Sequence, residues 1–391
     1  MTRKNTTQLL VSASDPLLMH VRLKNYKNNL SHLISNFFIG VAFGSRIRPH
    51  EELDEIAEYF EYLRNDDYTI AFLYPDEDTQ NHGSMISNIV TEYYDLFDEN
   101  ILLMEDDDFI LNKNTLEKHI HHLNNGDYDF VGDPRGCSGN LNLLEFQKSV
   151  MKQDKVLYNH DDPCAYHFGN YWPTHFLIKK KYLKPTDIFR AYFYPAGTQL
   201  NYRGKKFLID TDTDCDTFVK FSIDMMSRIN RGYEYSLYDC RLHNQDANDA
   251  YYFHLGMIQR PDFNFSDDIY NKILDYYIYH IGSASCFLRF HVKNSLHMDD
   301  DFISSLNFLL QNNDSINVVQ LYRRYVVYKA IFETVKNDTE LSAYKSNYLE
   351  NFAQVDEYFD KNDIKGILER TNCRITPGEL YTHAFKQIVG Y

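Results

Sequence analysis

Residues 100 to 110 read Asn-Ile-Leu-Leu-Met-Glu-Asp-Asp-Asp-Phe-Ile: an apolar run that stops in four consecutive carboxylates and then turns apolar again. Like charges gathered at a strand end repel one another. If Asp106, Asp107 and Asp108 converge on one point, a cation should neutralise them. Hard oxygen ligands favour Mg2+ or Mn2+, and both ions hold phosphates on their open positions, so a nucleotide diphosphate is the natural ligand class. A solvated acidic turn after a strand is the plain alternative, and the flanking sequence decides between them.

Upstream, strand and helix patterns alternate. Gln8 to Ser14 is a short apolar strand, and Asp15-Pro16 opens a helical stretch to about Ile34, with Pro in the first turn. Asn36 to Phe43 is a second strand, followed by helical spacing from Glu51 to Leu63. Tyr68 to Tyr74 gives a third strand and Gly83 to Phe97 a third helix, with Met85, Ile86, Ile89, Val90, Tyr93 and Tyr94 on its apolar face. Ile101 to Met104 is the fourth strand. Continuous apolar strands separated by amphipathic helices predict an α/β fold: a mostly parallel, Rossmann-type sheet with both faces covered. In such sheets ligands bind outside the carboxyl ends of the strands, where the acidic cluster falls.

Downstream, Asn112 to Asn125 has a helical pattern carrying His119, His121 and His122. No Cys or carboxylate stands at matching spacing, so this reads as an exposed helical face rather than a zinc site. Tyr128 to Val131 is a further strand entering the loop Gly132-Asp133-Pro134-Arg135-Gly136, where Arg135 could meet a phosphate or a sugar hydroxyl. The stretch 169–181 holds the single Trp172, a strand and the basic turn Lys179-Lys180-Lys181. Trp172 could stack on a sugar, although partial burial in the core explains it as well. A second acidic segment, Asp210-Thr211-Asp212-Thr213-Asp214-Cys215-Asp216, is expected to open a helix. Capping by Asp214 or Asp216 is its structural role, yet one cap does not require four aspartates. A carboxylate fixed there could take the proton of an attacking hydroxyl. Glu234 to Tyr238 is expected as a strand, and His254 follows in an aromatic run.

In this order, the pieces resemble the GT-A-fold glycosyltransferases that use nucleotide sugars, over roughly residues 7 to 260. The resemblance implies that Asp106 and Asp108, with Asp107 between them, form the Asp-x-Asp that binds Mn2+ or Mg2+ bridged to the donor diphosphate. It implies that Asp212, in Thr211-Asp212-Thr213-Asp214, is the catalytic base of an inverting enzyme, with Asp214 beside it. Thr211 stands where many members carry Glu. His254, in His-Leu-Gly, matches a late metal or diphosphate ligand, with His243 as its rival. Ala13, Ser14 and Asp15 match the loop that holds the nucleoside, and Arg135 and Lys179 are candidate electrostatic helpers. The implied partners are the nucleotide sugar and a glycan, lipid-linked or protein acceptor.

Composition bounds the rest. With 391 residues, 43% apolar and 15% aromatic, the chain can bury a sizeable core, and its formal charge of −16 argues against general nucleic-acid binding. Six cysteines without CxxC pairs fit a reducing compartment better than a disulfide framework. No run of about eighteen apolar residues occurs, so a cytoplasmic protein, soluble or peripheral to a membrane, is expected. Residues 1–262 read as the catalytic domain. Residues 263–391 read as a mainly helical appendage, with apolar 3/4 spacing at 269–281, 302–310, 318–335, 344–359 and 381–389. Three uses are open to it: acceptor binding, dimer formation, or docking to a membrane-bound substrate. Asp299-Asp300-Asp301 precedes one of these helices and reads as its cap. Two rival functions stand beside the glycosyltransferase. A sugar-nucleotide nucleotidyltransferase would show a Gly-rich basic loop near the first strand, which Ser12 to Pro16 lacks; a non-catalytic, metal-dependent carbohydrate-binding protein would need no base.

Overall fold

The computed structural model describes residues 5–11, 16–42, 61, 68–73, 82–105, 108–132, 171, 175–202, 205–209, 212–215, 217–226, 228–229, 231–234, 250–254, 326–327, 329–339, 356–357, 360–361, 363–370 and 378–390. The chain forms two compact units, one of residues 1–13, 30–44 and 64–252, the other of 14–29, 45–63 and 253–391.

The first unit is built on a sheet whose strands are β1 (Thr6–Val11), β2 (Asn36–Ala42), β3 (Tyr68–Leu73), β4 (Asn100–Glu105), β6 (Phe130–Gly132), β7 (Phe176–Lys179) and β12 (Gly232–Glu234). The seven strands lie in the order β12-β6-β7-β4-β1-β2-β3. Six run parallel; β7 alone is antiparallel to its neighbours β4 and β6. The sheet is thus α/β and mostly parallel, flanked by helices. The reversal of strand order falls between β1 and β4, which pair in register from Thr6↔Asn100 to Val11↔Glu105.

Burial explains why β4 is continuously apolar. Ile101, Leu102, Leu103 and Met104 point alternately to opposite faces, yet all four are fully buried, so helices must cover both. Helix α2 (His82–Tyr93) supplies one cover, setting Met85 and Ile89 over Gly40 of β2. A Cβ at Gly40 would lie 2.4 Å from the Met85 sulfur, so the helix approaches that closely only because glycine is there. Helix α3 (Lys113–Asn124) buries Leu116, His119, Ile120 and Leu123, an i, i+3, i+4, i+7 stripe. Its N-cap is Asn112, whose side chain accepts from the N–H groups of Asn114 and Thr115. The exposed histidine face expected along this helix holds for His121 but not for His119, which is buried against Tyr251 and Tyr233. Helix α4 (Val219–Met226) packs Phe221 on Phe189, with ring centroids 4.5 Å apart.

At the amino end of the sheet, Asp98 Oδ2 accepts from Thr7 Oγ1 at 2.8 Å, Ser35 Oγ at 2.6 Å and Asn36 Nδ2 at 2.8 Å. Three donors on one carboxylate pin the entries of β1 and β2 to the turn before β4.

Between β7 and α4 lie short antiparallel ladders: β8 (Tyr192–Tyr194) with β11 (Thr213–Cys215), and β9 (Gln199–Tyr202) with β10 (Lys205–Leu208). Here the structure corrects an expectation. The segment around Asp212 does not run directly into a helix; residues 213–215 form strand β11, and α4 begins only at Val219. Thr213 and Cys215 can pair on an edge as β-formers, and the ladder to β8 outcompetes the acidic helix start.

The second unit holds helix α1 (Pro16–Asn25), a π-helical turn at Tyr26–Leu30, α5 (Ile364–Arg370) and α6 (Gly378–Val389). Residues 329–335 are helical as well. Asp338 lies buried between His20 Nε2 at 3.3 Å and Lys24 Nζ at 3.1 Å. Burial alone would raise its carboxyl, but hydrogen bonds and charge from His20 and Lys24 outweigh that and hold it well below the usual carboxylate range. Asn28 and Asn29 donate to the carbonyls of Val389 and Ile388, satisfying acceptors that the end of α6 would leave open. The helices expected at 51–63, 269–281 and 302–310 lie outside the described residues, except for Glu61, which is helical. Among the described residues, no helix is long and apolar enough to cross a membrane.

Gly232 of β12 sits against the Phe130 ring, where an added Cβ would fall 1.9 Å from the nearest ring carbon. Gly232→Ala should cost about 1–3 kcal/mol through overpacking. Urea unfolding measures it: the midpoint should drop with an unchanged slope.

Candidate functional site

The carboxyl ends of β1 and β4 meet at Val11↔Glu105, where the strand order reverses. Doubly wound sheets bind ligands at such a point, because the segments leaving the two strands diverge and open a crevice. Ala13, Ser14, Asp15, Asp106 and Asp107 follow these ends in sequence and lie outside the described residues, as do Arg135, Trp172 and His243.

Asp108 is described. It opens β5 (Asp108–Ile110) and is wholly buried, with neither carboxylate oxygen hydrogen-bonded among the described residues. His175 Nε2 is its neighbour, 3.8 Å from Oδ1, and is equally buried. The antiparallel register explains this meeting. Leu103 pairs with Phe176, so His175, one residue earlier, stands at the carboxyl end of β4. The imidazole packs on Tyr251 and Tyr252 at centroid distances of 5.2 and 4.9 Å. His119 shares the Tyr251 ring from another side, at 5.5 Å. Burial, then the positive potential of His122, His175 and Lys118, pulls the His119 pKa down to about 3. It is therefore a neutral imidazole at pH 7.

His175 has φ 50° and Phe218 φ 75°, both in the left-handed region that L-residues with large side chains avoid. The two are linked through one ring: Phe176 adjoins His175 in sequence and meets Phe218 edge-on at 5.3 Å. Phe218 is further held by its N–H donating to Phe189 O at 2.7 Å. Phe189 is steadied in turn by the turn at 184–187. There Arg228 grips Asp187 in a fork, Nη2 to Oδ1 at 2.7 Å and Nη1 to Oδ2 at 3.1 Å. Strained conformations persist only where packing over-determines them, and they gather at functional sites.

Phe218, six positions after Asp212, thus packs on the ring of the first residue of β7. Asp212 is exposed, and its Oδ1 accepts from the Ala196 N–H at 2.8 Å, closing the turn at 195–198. Its second oxygen is left to the open side. The backbone of Asp214 pairs with Phe193 in the β11–β8 ladder. His254 ends β13 (Tyr252–His254) and belongs to the second unit; its side chain is outside the described residues.

Lys179 is not brought to this end. It pairs with Asn100 at the amino end of β4, roughly 16 Å from Glu105 along the strand, and its Nζ bonds Asp129 at 3.3 Å. A cavity of about 750 Å³ opens there, lined by Asn5, Tyr94, Asn100, Asn124, Lys179 and Lys181 among others. It lies at the opposite end of β4 from Glu105.

Two pairs were not singled out from sequence. One is Asp108–His175. The other joins His82 Nδ1, at the first position of α2, to Glu105 Oε1 at 3.1 Å. Neither spacing is a motif, because strand register and a helix start create both contacts. Among the described residues, no cluster of three or more His, Cys, Asp or Glu side chains is assembled for a metal. Asp108 fits a cation all the same: a buried carboxylate with neither oxygen hydrogen-bonded among the described residues is the donor chemistry a divalent ion completes.

No known family matches the chain, and no curated protein matches it. Among solved structures, a protein of Entamoeba histolytica provisionally named a UDP-N-acetylglucosamine pyrophosphorylase is similar at TM-score 0.33 and 9% identity, over 61% of this chain and 74% of that chain. At that level the likeness carries no argument.

Asp108→Asn removes a buried charge that lacks hydrogen bonds, so the metal-free protein should gain about 1 kcal/mol in urea unfolding. A loss of stability instead would mean that the Asp108–His175 pair holds the fold by charge. His119 has its folded pKa depressed from 6.5 to about 3, so the unfolded chain binds its proton first. Its contribution is complete above about pH 6.5 and is lost as pH falls toward 3, at up to about 1.4 kcal/mol per pH unit. Unfolding midpoints at pH 7, 5 and 4 should drop less steeply in His119→Gln than in the parent.

Proposed function

We propose that the protein is a divalent-metal-dependent glycosyltransferase that moves a sugar from a nucleotide-diphosphate sugar to a hydroxyl acceptor with inversion. In this reading residues 1–262 form the catalytic domain and 263–391 a helical appendage. The observation that supports it best is the pairing of chemistry with topology. A buried Asp108, with neither oxygen hydrogen-bonded among the described residues, follows β4 beside the strand-order reversal, and an exposed carboxylate, Asp212, is fixed by the Ala196 N–H six residues before Phe218.

Asp106 and Asp108 would hold the cation, with His254 as a candidate third ligand, and Ala13, Ser14 and Asp15 would hold the nucleoside. The cation, when bound, offsets the charge that develops on the leaving diphosphate. Asp212 keeps one oxygen on the Ala196 N–H, which fixes its direction, and takes the acceptor proton on the other. The acceptor oxygen then bonds to the anomeric carbon as the carbon–phosphate oxygen bond breaks, and the nucleoside diphosphate departs. Arg135 is a candidate phosphate contact.

The test is a panel of nucleotide sugars incubated with the full chain and Mn2+. A transferase releases nucleoside diphosphate by slow hydrolysis. A nucleotidyltransferase instead forms or consumes pyrophosphate, and a carbohydrate-binding protein does neither, so either outcome refutes the proposal. Asp212→Asn should lower turnover by about 100- to 10,000-fold while leaving the donor KM within a few fold.

A further inference from the structure

The sequence supplies no reason to single out His175, yet its geometry does. It is wholly buried, its backbone sits at φ 50°, and Nε2 lies 3.8 Å from Asp108 Oδ1, with Tyr251 and Tyr252 packed on its ring. The antiparallel run of β7 is what delivers it there, since Phe176 is locked opposite Leu103. A left-handed backbone at a buried imidazole is strained, and nothing in the sheet ladder requires it. What it achieves is the aim of the imidazole toward a carboxylate whose oxygens are otherwise unbonded among the described residues.

We propose that His175 is a positioning residue for Asp108: its ring N–H engages Oδ1 and leaves Oδ2 directed at the divalent cation. This rests on the metal-dependent reading above and assigns that site a supporting residue. Carboxylates that bind metals are themselves hydrogen-bonded, because a fixed orientation spares the ion the entropy of ordering its ligand. At 3.8 Å the contact is longer than a hydrogen bond, so a modest rotation of Asp108 completes it as the cation arrives. The aromatic walls matter for the same reason: with Tyr251 and Tyr252 against the ring, His175 cannot swing to follow a loose ligand. No proton is transferred, and His175 touches neither substrate nor cation.

The variants follow from the backbone. His175→Gly removes the imidazole at a position glycine occupies without strain, and His175→Asn keeps an N–H donor on a residue that tolerates left-handed φ. Binding of Mn2+ to the full chain is read from the electron paramagnetic resonance signal of the free ion, alone and with pyrophosphate as a diphosphate surrogate. Melting curves run in parallel to confirm folding. His175→Gly should weaken Mn2+ binding by about 10- to 100-fold. His175→Asn should recover part of that loss. In an Asp108→Asn background, His175→Gly should change Mn2+ binding no further, because the carboxylate it positions is gone. A purely structural histidine would instead lower the melting temperature equally in both backgrounds and leave Mn2+ affinity alone. If the parent binds Mn2+ and His175→Gly matches it within twofold, this inference falls and the metal-dependent function stands. A parent that binds no Mn2+ under either condition overturns both.

Discussion

Strand β4 is the constraint from which the rest follows. Four successive side chains, Ile101 to Met104, are fully enclosed, so neither face of the strand can carry a polar group. Chemistry is displaced to where the strand ends, and the chain turns from apolar to acidic within one residue of Met104. Because β1 pairs alongside in parallel and β7 pairs in the opposite sense, the carboxyl end of β4 collects three segments: the exit of β1, the exit of β4 and the entry to β7. The candidate site is made of what those segments bring.

The two ends of this sheet treat carboxylates in opposite ways. Asp98, at the amino end, accepts three neutral donors from residues that start β1 and β2, and it acts as a clamp. Asp108, past the carboxyl end, is more deeply buried and has no such donors among the described residues. A buried acceptor left unmade is costly, on the order of 1–3 kcal/mol or more for a charged group. Hydrogen bonding, rather than acidity, thus separates Asp98 from the aspartate proposed to hold the cation.

The parallel part of the fold was legible because its strands are short continuous apolar runs and its helices carry the 3/4 stripe. The strands at β1 to β4 and the helices α2 and α3 fall within a few residues of the pattern, and the last apolar stripe, 381–389, lies in α6. The direction of β7 was not legible, since Phe-Leu-Ile-Lys reads identically either way. That single reversal decides that His175 meets Asp108 and that Lys179 goes to the far end. The ladders β8 to β11 also escaped reading: strands this short carry too few side chains for a period to register. Gly232, which opens β12, is needed for space beneath Phe130, and nothing in its sequence context announces that. Periodicity reports which residues are covered; it does not report which residues cover one another.

The bond from Asn28 to the Val389 carbonyl closes a sequence separation of 361 residues. Helix α1, with Leu18, Met19, Val21 and Leu23 destined for burial, is synthesised well before its α6 partner. At ribosomal rates of about 5–20 residues per second, roughly 20 to 70 s elapse between the two. Through that interval an apolar helix and the His20–Lys24 pocket for Asp338 wait without their counterpart. Between those two moments the face of α1 that α6 covers has to be shielded by something other than α6.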